Sequence, residues 1–380
     1  MSEAPALLEI TAREGAARTG RLRLRSGVVE TPNFMPVATF GAVRGLSAED
    51  LRGLGAQILL SNTYHLHERP GEDVVAGLGG LHGFTGWDGP WLTDSGGFQI
   101  TSLADRMKID EGGVTFTSPL DGARRTLTPE GAIEIQEQLG ADIAMLLDEC
   151  LPPLEEGVDA ATQRRRMAAA MQRTLRWAER ARAARKRPDQ AVFAIVQGGV
   201  DIELRRESAR ASAELGFDGH AHGGLGLGES REARTEMVEA AHAELPEASP
   251  RYLMGLGRPV DLLDGIAAGV DLFDCVVPTR NGRHGVLFTS EGVLPLKAAR
   301  YASEDVPIDA ACDCPACRHH SRGYLRHLLK TGESLGRRLC AAHNLRHYLS
   351  LMERARKAIA AGGFAALRRE VEAVSEHRLS

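Results

Sequence analysis

Eight short apolar runs, each leading into a polar or glycine-rich corner and then into helix-compatible residues, most constrain the fold of this 380-residue chain. With their corners, the runs span residues 34–40, 57–65, 90–97, 142–150, 192–199, 219–226, 251–257 and 270–278. Runs that are apolar throughout are typical of parallel strands buried on both faces. Eight strand–helix units therefore predict an α/β fold, a (β/α)8 TIM barrel, with functional residues at the C-terminal strand ends.

Three segments depart from a plain strand–helix repeat. Residues 7–31 alternate polar and apolar side chains in places and predict an N-terminal β-hairpin. Residues 114–128 predict an inserted hairpin with Asp121-Gly122 at its turn. A long helix is predicted over residues 160–185, and its apolar stripe is expected to be buried: Met167, Met171, Leu175 and Ala178.

The last hundred residues change in character and suggest three units along the chain. We predict the main part of the barrel over 1–275 and a C-terminal helix packed on the barrel over 351–380. Between them, 276–350 is predicted to be a basic subdomain inserted near the last strand, and its cluster of three cysteines within 312–317 indicates that it binds zinc. The net charge of −5 does not favour a nucleic-acid binder. Residues 276–358, however, hold 14 Lys and Arg against 7 Asp and Glu, a local excess that attracts phosphate unless it is an ordinary solvated surface.

The sequence shows no membrane or export signal. No stretch approaches the roughly 18 apolar residues that cross a bilayer, and the N-terminal MSEAPALLEITAREG has no basic start followed by an apolar run. The protein is therefore expected to be cytoplasmic and not associated with a membrane.

Three of the six cysteines form a tight knuckle, Cys312, Cys314 and Cys317. Three thiolates and one imidazole make a closed tetrahedral zinc site of the structural type, with no open position for catalysis. We predict one structural Zn²⁺ per chain, with free buried cysteines as the alternative. The sequence alone leaves four candidates for the fourth ligand: His319, His320, Cys340 and His343.

Acidic side chains follow several of the predicted strands. Asp94 comes after a buried run and precedes two glycines that allow close approach of a ligand, although a lone Asp there could instead cap a helix. Asp148 ends the most apolar run, where a carboxylate suits the adjacent N–H donors of a guanine edge. Gln197 adds an amide donor at the next strand end, and Gly223-Gly224 offer bare backbone N–H groups.

Asp274 closes the last predicted strand, and Thr279, Arg280 and Arg283 follow it within ten residues. Arginine forks grip phosphate oxygens, although an ordinary surface loop is the alternative. Two aspartates at one barrel mouth suit chemistry at a glycosidic carbon, where one attacks an oxocarbenium-like centre and the other transfers protons. Phe98 and Met254 offer apolar surfaces for a flat ring, although each alone is more often core.

With these residues in view, the chain resembles the bacterial tRNA-guanine transglycosylase (queuine tRNA-ribosyltransferase) family across nearly its whole length. The resemblance lies in NTYHL (62–66), RPG (69–71), LTDSGGFQ (92–99), DEC (148–150), QGG (197–199), GGL (223–225), YLMG (252–255), FDCVVPTRNGR (273–283) and the cysteine knuckle. It implies exchange of the wobble guanine of tRNAs with GUN anticodons for 7-aminomethyl-7-deazaguanine, on the way to queuosine, through a covalent tRNA intermediate.

The resemblance also implies a role for each matching residue. Asp274 becomes the nucleophile at the ribose C1′ and Asp94 the general acid/base. The implied base-binding residues are Asp148, Gln197, Gly223, Gly224, Ser95, Phe98, Met254 and Gly255. The implied RNA contacts are Thr279, Arg280 and Arg283, the implied zinc ligands are Cys312, Cys314, Cys317 and His343, and the implied homodimer contacts lie near Tyr324 and His327.

Some positions depart from the family pattern. Gly226-Leu227 stand where a small residue and Val are usual, which leaves open the use of queuine as a base. His284 and Arg258 replace the common Asn and Lys. Two other functions remain: a non-catalytic tRNA-binding barrel subunit, which should lack an acid at position 94 or 274, and a two-carboxylate glycoside hydrolase, which predicts aromatic platforms although aromatics are only 5% of the chain.

Overall fold

The structure is a computed structural model that describes residues 6–97, 107–152, 157–375, 377 and 379. The strands in those residues are β1 (Leu8–Glu14), β2 (Ala17–Leu24), β3 (Gly27–Thr31), β4 (Asn33–Met35), β5 (Leu59–Ser61), β6 (Trp91–Thr93), β7 (Met107–Asp110), β8 (Gly113–Thr117), β9 (Arg124–Leu127), β10 (Ile143–Met145), β11 (Ala191–Val196), β12 (Gly219–His222), β13 (Arg251–Leu253), β14 (Leu272–Asp274), β15 (Val286–Thr289) and β16 (Gly292–Pro295).

The helices in the same residues connect and cover these strands. They are α1 (Ala48–Leu54), α2 (Thr63–Glu68), α3 (Glu72–Gly77), α4 (Gly80–Thr85), α5 (Pro129–Leu139), α6 (Ala160–Ala184), α7 (Ile202–Glu214), α8 (Arg231–His242), α9 (Pro259–Ala267), α10 (Val277–His284), α11 (Pro315–His319), α12 (Arg322–Thr331), α13 (Ser334–Ala361), α14 (Phe364–Ser375) and a 3-10 helix over Ala299–Ser303. Within the described chain, none of these helices has the length and apolar character to cross a membrane.

Eight parallel strands form the central sheet in the order β4-β14-β13-β12-β11-β10-β6-β5. A parallel bridge from Val37 to Leu60 joins its two ends, and the Ala38 N–H donates to the Leu60 carbonyl at 2.6 Å. The sheet is therefore closed, which confirms the predicted eight-stranded barrel. Its interior is packed with apolar side chains such as Met145 and Phe193, so that function lies at the mouth.

The two predicted hairpins each prove to be part of a three-stranded antiparallel sheet. In the N-terminal sheet, β2 pairs with β1 on one side and with β3 on the other, so the prediction of a single hairpin was incomplete. In the insertion, β8 and β9 form the predicted hairpin and β7 adds a strand. The extra strand β7 is exposed or half-buried along its length, so it lacks the apolar alternation that sequence reasoning requires.

The predicted long helix is observed as α6. Asp159 caps it by accepting a hydrogen bond from the backbone N–H of Thr162. Its predicted stripe packs inward as expected: Met167, Met171 and Ala178 are buried, and Leu175 is half-buried against the same core.

Helix α13 connects the C-terminal region to the barrel. The Asn344 side chain, which is fully buried, donates to the carbonyls of Pro278 and Val286, both at 2.9 Å, and accepts from the Phe288 N–H at 3.0 Å. The Tyr348 hydroxyl donates to the Gly257 carbonyl. The division of the chain at 275/276 and 350/351 stays a prediction, and residue 350 lies inside α13.

A buried histidine pair lies between the barrel wall and helix α8. The Nδ1 atom of His242 is 2.8 Å from the Ala268 carbonyl, an acceptor, so this nitrogen carries the proton. In the neutral pair, His222 then donates from Nε2 to the Nε2 of His242 at 2.8 Å. Burial lowers the pKa of both imidazoles well below the usual value, and the charges of Arg205 and Arg251 add to this for His222.

We expect this pair to make the protein less stable in mild acid. The unfolded histidines take up protons below about pH 6.5, whereas the buried ones do not, so the free energy of unfolding falls as the pH drops through that value. The slope for each histidine approaches about 1.4 kcal/mol per pH unit. Urea denaturation between pH 7.5 and 5.5 should show a shallower loss for His222→Val/His242→Leu than for the wild type. The exposed His284→Gln variant should match the wild type, and equal slopes in all three proteins would contradict the prediction.

Candidate active site

Three carboxylates from the ends of β6, β10 and β14 meet in one cavity of about 360 Å³ at the barrel mouth. Asp94, Asp148 and Asp274 all line it. The structure also brings to this cavity five other residues predicted from the sequence: Ser95, Gly223, Gly224, Met254 and Gly255. Phe98 lies outside the described residues.

Asp94 is buried and held by three donors. The Asn62 side-chain amide donates to Oδ2, and the backbone N–H groups of Thr63 and Gly96 donate to Oδ1 at 3.0 and 3.1 Å. Burial outweighs these hydrogen bonds and raises the pKa of Asp94 to about 6, with the nearby charge of Asp274 adding to the rise. Such a carboxyl exchanges a proton readily near neutral pH, as a general acid/base must.

Asp274 has its two carboxylate oxygens in different environments. The Tyr252 hydroxyl at 2.6 Å and the Gly255 N–H at 2.8 Å both donate to Oδ1. Among the described residues, no hydrogen bond to Oδ2 is found. Burial raises the pKa of Asp274, and the two donors oppose that rise. The pKa of Tyr252 is raised well above its usual value, so its hydroxyl stays a donor and Oδ2 keeps its lone pairs for attack.

Asp148 is paired with Gln197 from the neighbouring strand. The Gln197 amide donates to Oδ2 of Asp148 at 2.6 Å, and burial raises the pKa of this carboxyl to about 6. A Cβ placed on Gly223 would lie 2.5 Å from the Gln197 amide nitrogen, and one on Gly224 would lie 2.7 Å from the amide oxygen. The two glycines therefore let the loop after β12 approach the Gln197 side chain closely.

Three residues that sequence reasoning gave no role also shape the site. Asn62 and Tyr252 bind the two aspartates described above, and Glu229 accepts hydrogen bonds from the N–H groups of Gly226 at 2.6 Å and Leu227 at 3.0 Å. Asn62 directly follows β5, so the strand-end rule could have found it. Tyr252 precedes Met254 by two residues, which is the spacing of one strand face.

The predicted RNA contacts lie on helix α10. Arg280 is exposed, and Arg283 is half-buried with an Nη1 atom that has no hydrogen-bond partner in the described part of the chain. Burial lowers the pKa of Arg283, and the charges of Arg44 and Arg280 add to the effect. Three guanidinium groups thus share one region, which favours an anionic partner. The Thr279 hydroxyl instead turns back to donate to the Val276 carbonyl.

Four side chains could hold a metal ion in the C-terminal region: Cys312, Cys314, Cys317 and His343. Their ligand atoms all lie within 4.8 Å of one another, as three sulfurs and one nitrogen around a tetrahedral ion require. The Nδ1 atom of His343 faces the sulfurs of Cys314 at 3.6 Å and Cys317 at 3.3 Å. Its Nε2 donates to the Phe288 carbonyl at 2.8 Å, which leaves the Nδ1 lone pair for the metal.

Sequence comparison decides the family. The family model described as "Queuine tRNA-ribosyltransferase" matches residues 13–377. The chain belongs to the queuine tRNA-ribosyltransferase family. Curated relatives of that name are similar over almost their full length. The relative from Thermus thermophilus is 51% identical over 366 residues, covering 96% of this chain and 93% of its own, and that from Solidesulfovibrio magneticus is 50% identical over 373 residues, covering 98% of each. A third, from Herpetosiphon aurantiacus, is 53% identical over 346 residues, covering 91% and 86%. Membership in the queuine tRNA-ribosyltransferase family confirms the resemblance and the predicted enzyme class, a transferase of pentosyl groups.

We expect metal content to distinguish the fourth ligand from its buried neighbour. Cys317→Ser and His343→Ala should each lose stoichiometric metal and melt at a lower temperature, because a structural ion contributes its binding energy to folding. Cys340→Ala is the matched control, since Cys340 is buried on the same helix as His343 but outside the cluster. Elemental analysis of the purified proteins provides the measurement. Loss of metal from the Cys340→Ala variant, or its retention after His343→Ala, would refute this ligand set.

Proposed function

We propose that this chain is a tRNA-guanine transglycosylase that replaces the wobble guanine of tRNAs with GUN anticodons (Tyr, His, Asn and Asp) by 7-aminomethyl-7-deazaguanine. The observation that carries the proposal is the cavity lined by Asp274, Asp94 and Asp148, with Gln197 hydrogen-bonded to Asp148. These groups provide a nucleophilic oxygen, a proton carrier near neutral pH and polar groups for a guanine edge.

The reaction proceeds by double displacement. Oδ2 of Asp274 attacks the ribose C1′, the C1′–N9 bond breaks, and its electron pair goes to guanine, which takes a proton from the acid form of Asp94. The incoming base then gives its N9 proton to the Asp94 carboxylate and attacks C1′, and Asp274 leaves as a carboxylate. Oδ1 of Asp274 stays bound by Tyr252 and Gly255 through both steps.

Recognition of the base uses the other side of the cavity. The ionised Asp148 accepts the two N–H donors of the guanine edge, and the Gln197 amide and Gly224 N–H donate to the oxygen at C6. Gln197 must first leave Asp148, to which it donates in the ligand-free chain. Met254 covers one face of the ring, and the role of Phe98 on the other face stays a prediction.

The tRNA backbone meets the basic side of the mouth. Arg280 and Arg283 on α10, with Arg44 nearby, neutralise phosphates, and Thr279 helps to hold that helix turn. Cys312, Cys314, Cys317 and His343 would hold Zn²⁺, which supplies a structural cross-link when bound. We further propose a cytoplasmic homodimer that uses the exposed face around Tyr324 and His327.

We expect folded, metal-loaded protein to incorporate radiolabelled guanine into unmodified tRNA-Tyr or tRNA-Asp. Asp274→Asn should abolish both incorporation and any denaturation-resistant protein–RNA adduct, because an amide oxygen is a far weaker nucleophile. Asp189→Asn is the control, since Asp189 is an exposed residue that precedes β11 at the opposite end of the barrel. An adduct that persists in Asp274→Asn would place the nucleophile elsewhere, and a wild type without incorporation would refute the proposed function.

Activity should also fall in mild acid. Burial raises the pKa of Asp148 to about 6, so the fraction of protonated Asp148 grows as the pH falls through 6 and the base loses its acceptor. The raised pKa of Asp274 acts in the same direction on the nucleophile. We predict that kcat/KM for tRNA is bell-shaped: it falls below about pH 6 as Asp148 is protonated, and it falls above about pH 6 as Asp94 loses the proton that it donates. Circular dichroism should show that the protein stays folded over this range. A flat profile from pH 7 to 5 would contradict this assignment.

A further inference from the structure

Arg205 is a fully buried cation directly behind the base-recognition loops. It lies in the first turn of α7, and its guanidinium donates to three backbone carbonyls: Nε to Gly199 at 2.7 Å, Nη1 to Val196 at 2.9 Å and Nη2 to Gly223 at 2.8 Å. Two of these carbonyls flank Gln197, and the third belongs to the residue before Gly224. One side chain thus connects the ends of β11 and β12.

This arginine has no acidic partner within hydrogen-bond distance among the residues that the structure describes. Burial lowers the pKa of Arg205 to about 10, so the group remains charged at neutral pH. A buried charge that is compensated only by carbonyl dipoles is costly, and apolar residues of similar volume often replace buried charges without loss of stability. The stability of the barrel alone therefore gives little reason for a guanidinium at this position.

The hydrogen bond from Arg205 fixes the orientation of the peptide group between Gly223 and Gly224. In a planar trans peptide, the carbonyl of one residue and the N–H of the next point in opposite directions. Because the Gly223 carbonyl points to Arg205, behind the strands, the Gly224 N–H points the other way. That N–H faces the sulfur of Cys150, which lines the cavity.

Helix α7 holds the neighbouring loop at a second point. Ser208, one turn after Arg205, accepts a hydrogen bond from the Gln197 N–H at 3.0 Å. A Cβ on Gly198 would lie 2.8 Å from the backbone nitrogen of Arg205, so the loop packs directly on the start of the helix. Helix α7 therefore holds the backbone of residues 196–199, which carries the Gln197 side chain.

We propose that Arg205 is a positioning residue that aims the Gly224 N–H and the Gln197 amide at the oxygen on C6 of the base. This inference rests on the proposed function, which supplies a guanine-like base. Arg205 does not touch the substrate, and its effect passes entirely through the three carbonyls.

The test compares two bases in Arg205→Met, which has no donor, and in Arg205→Lys, whose ammonium lacks the planar fork for three carbonyls. Guanine has an oxygen at C6, whereas 6-thioguanine keeps both N–H donors of the guanine edge and has at C6 a sulfur, which is a weaker acceptor. The KM for guanine should rise by about 10- to 100-fold in Arg205→Met and by less in Arg205→Lys, because a site built for a carbonyl loses most when its donors turn away. The inhibition constant of 6-thioguanine, measured as a competitor of guanine incorporation, should rise by clearly less, because its sulfur gains little from these donors in the wild type.

Arg251→Met is the matched control. Arg251 is also buried, and burial also lowers its pKa to about 10, but it lies at the start of β13, the end of the barrel away from the cavity. Its loss should leave the ratio of the KM for guanine to the inhibition constant of 6-thioguanine unchanged. Thermal denaturation reports whether each variant folds, and if Arg205→Met does not, Ser208→Ala should still give a smaller loss that is selective for guanine.

Each outcome bears on one claim. An equal loss of affinity for both bases, or an unchanged KM for guanine in folded Arg205→Met, would overturn the positioning role. Failure of the wild type to incorporate guanine would instead refute the proposed function. Exchange by the wild type together with an unselective Arg205 variant would leave the proposed function standing and remove only the role of Arg205.

Discussion

Closure of the parallel sheet is the constraint on which the site depends. Pairing of β14 with β4 and the bridge from Val37 to Leu60 complete the circle, so every strand ends at the same rim. Asp94, Asp148 and Asp274 are far apart in sequence and share a cavity only because of that closure. The strands are three to six residues long, so a register shift of one residue would turn a carboxylate away from the mouth.

Hydrogen bonds at the barrel mouth also offset the repulsion among the three carboxylates that closure brings together. Three ionised carboxylates in one cavity are unfavourable, and loss of solvation raises the pKa of each. Each one receives a donor from the adjacent strand of the barrel: Asn62 after β5 for Asp94, Gln197 after β11 for Asp148, and Tyr252 on β13 for Asp274. In all three cases a donor from the adjacent strand fixes the orientation of the carboxyl group, and the raised pKa still allows that group to exchange a proton near neutral pH.

The sequence predicts the barrel and its acidic residues well because both follow from local patterns. Apolar runs mark strands buried on both faces, and an acid after such a run lies at the mouth. What was missed depends on contacts between distant segments. The exposed strand β7 carries no apolar pattern, and the hydrogen bonds of Tyr252 and Arg205 can be found only when neighbouring strand ends and carbonyl directions are known. The residues alone likewise left four candidates for the fourth metal ligand; the family resemblance implied His343, and the fold places its imidazole beside the three sulfurs.

In the ligand-free chain, Oδ2 of Asp148 already accepts a hydrogen bond from the Gln197 side-chain amide. In the proposed reaction the entering base competes with Gln197 for Asp148, so base binding is an exchange of hydrogen-bond partners. A base with two adjacent N–H groups would donate two hydrogen bonds to Asp148, whereas Gln197 donates one. It would also free the Gln197 amide to donate to a carbonyl of the base. Adenine would present a ring-nitrogen acceptor to the carboxylate, so it would not replace the hydrogen bond from Gln197 to Asp148. If the chain acts as proposed, the Asp148–Gln197 pair selects among bases before any reaction begins.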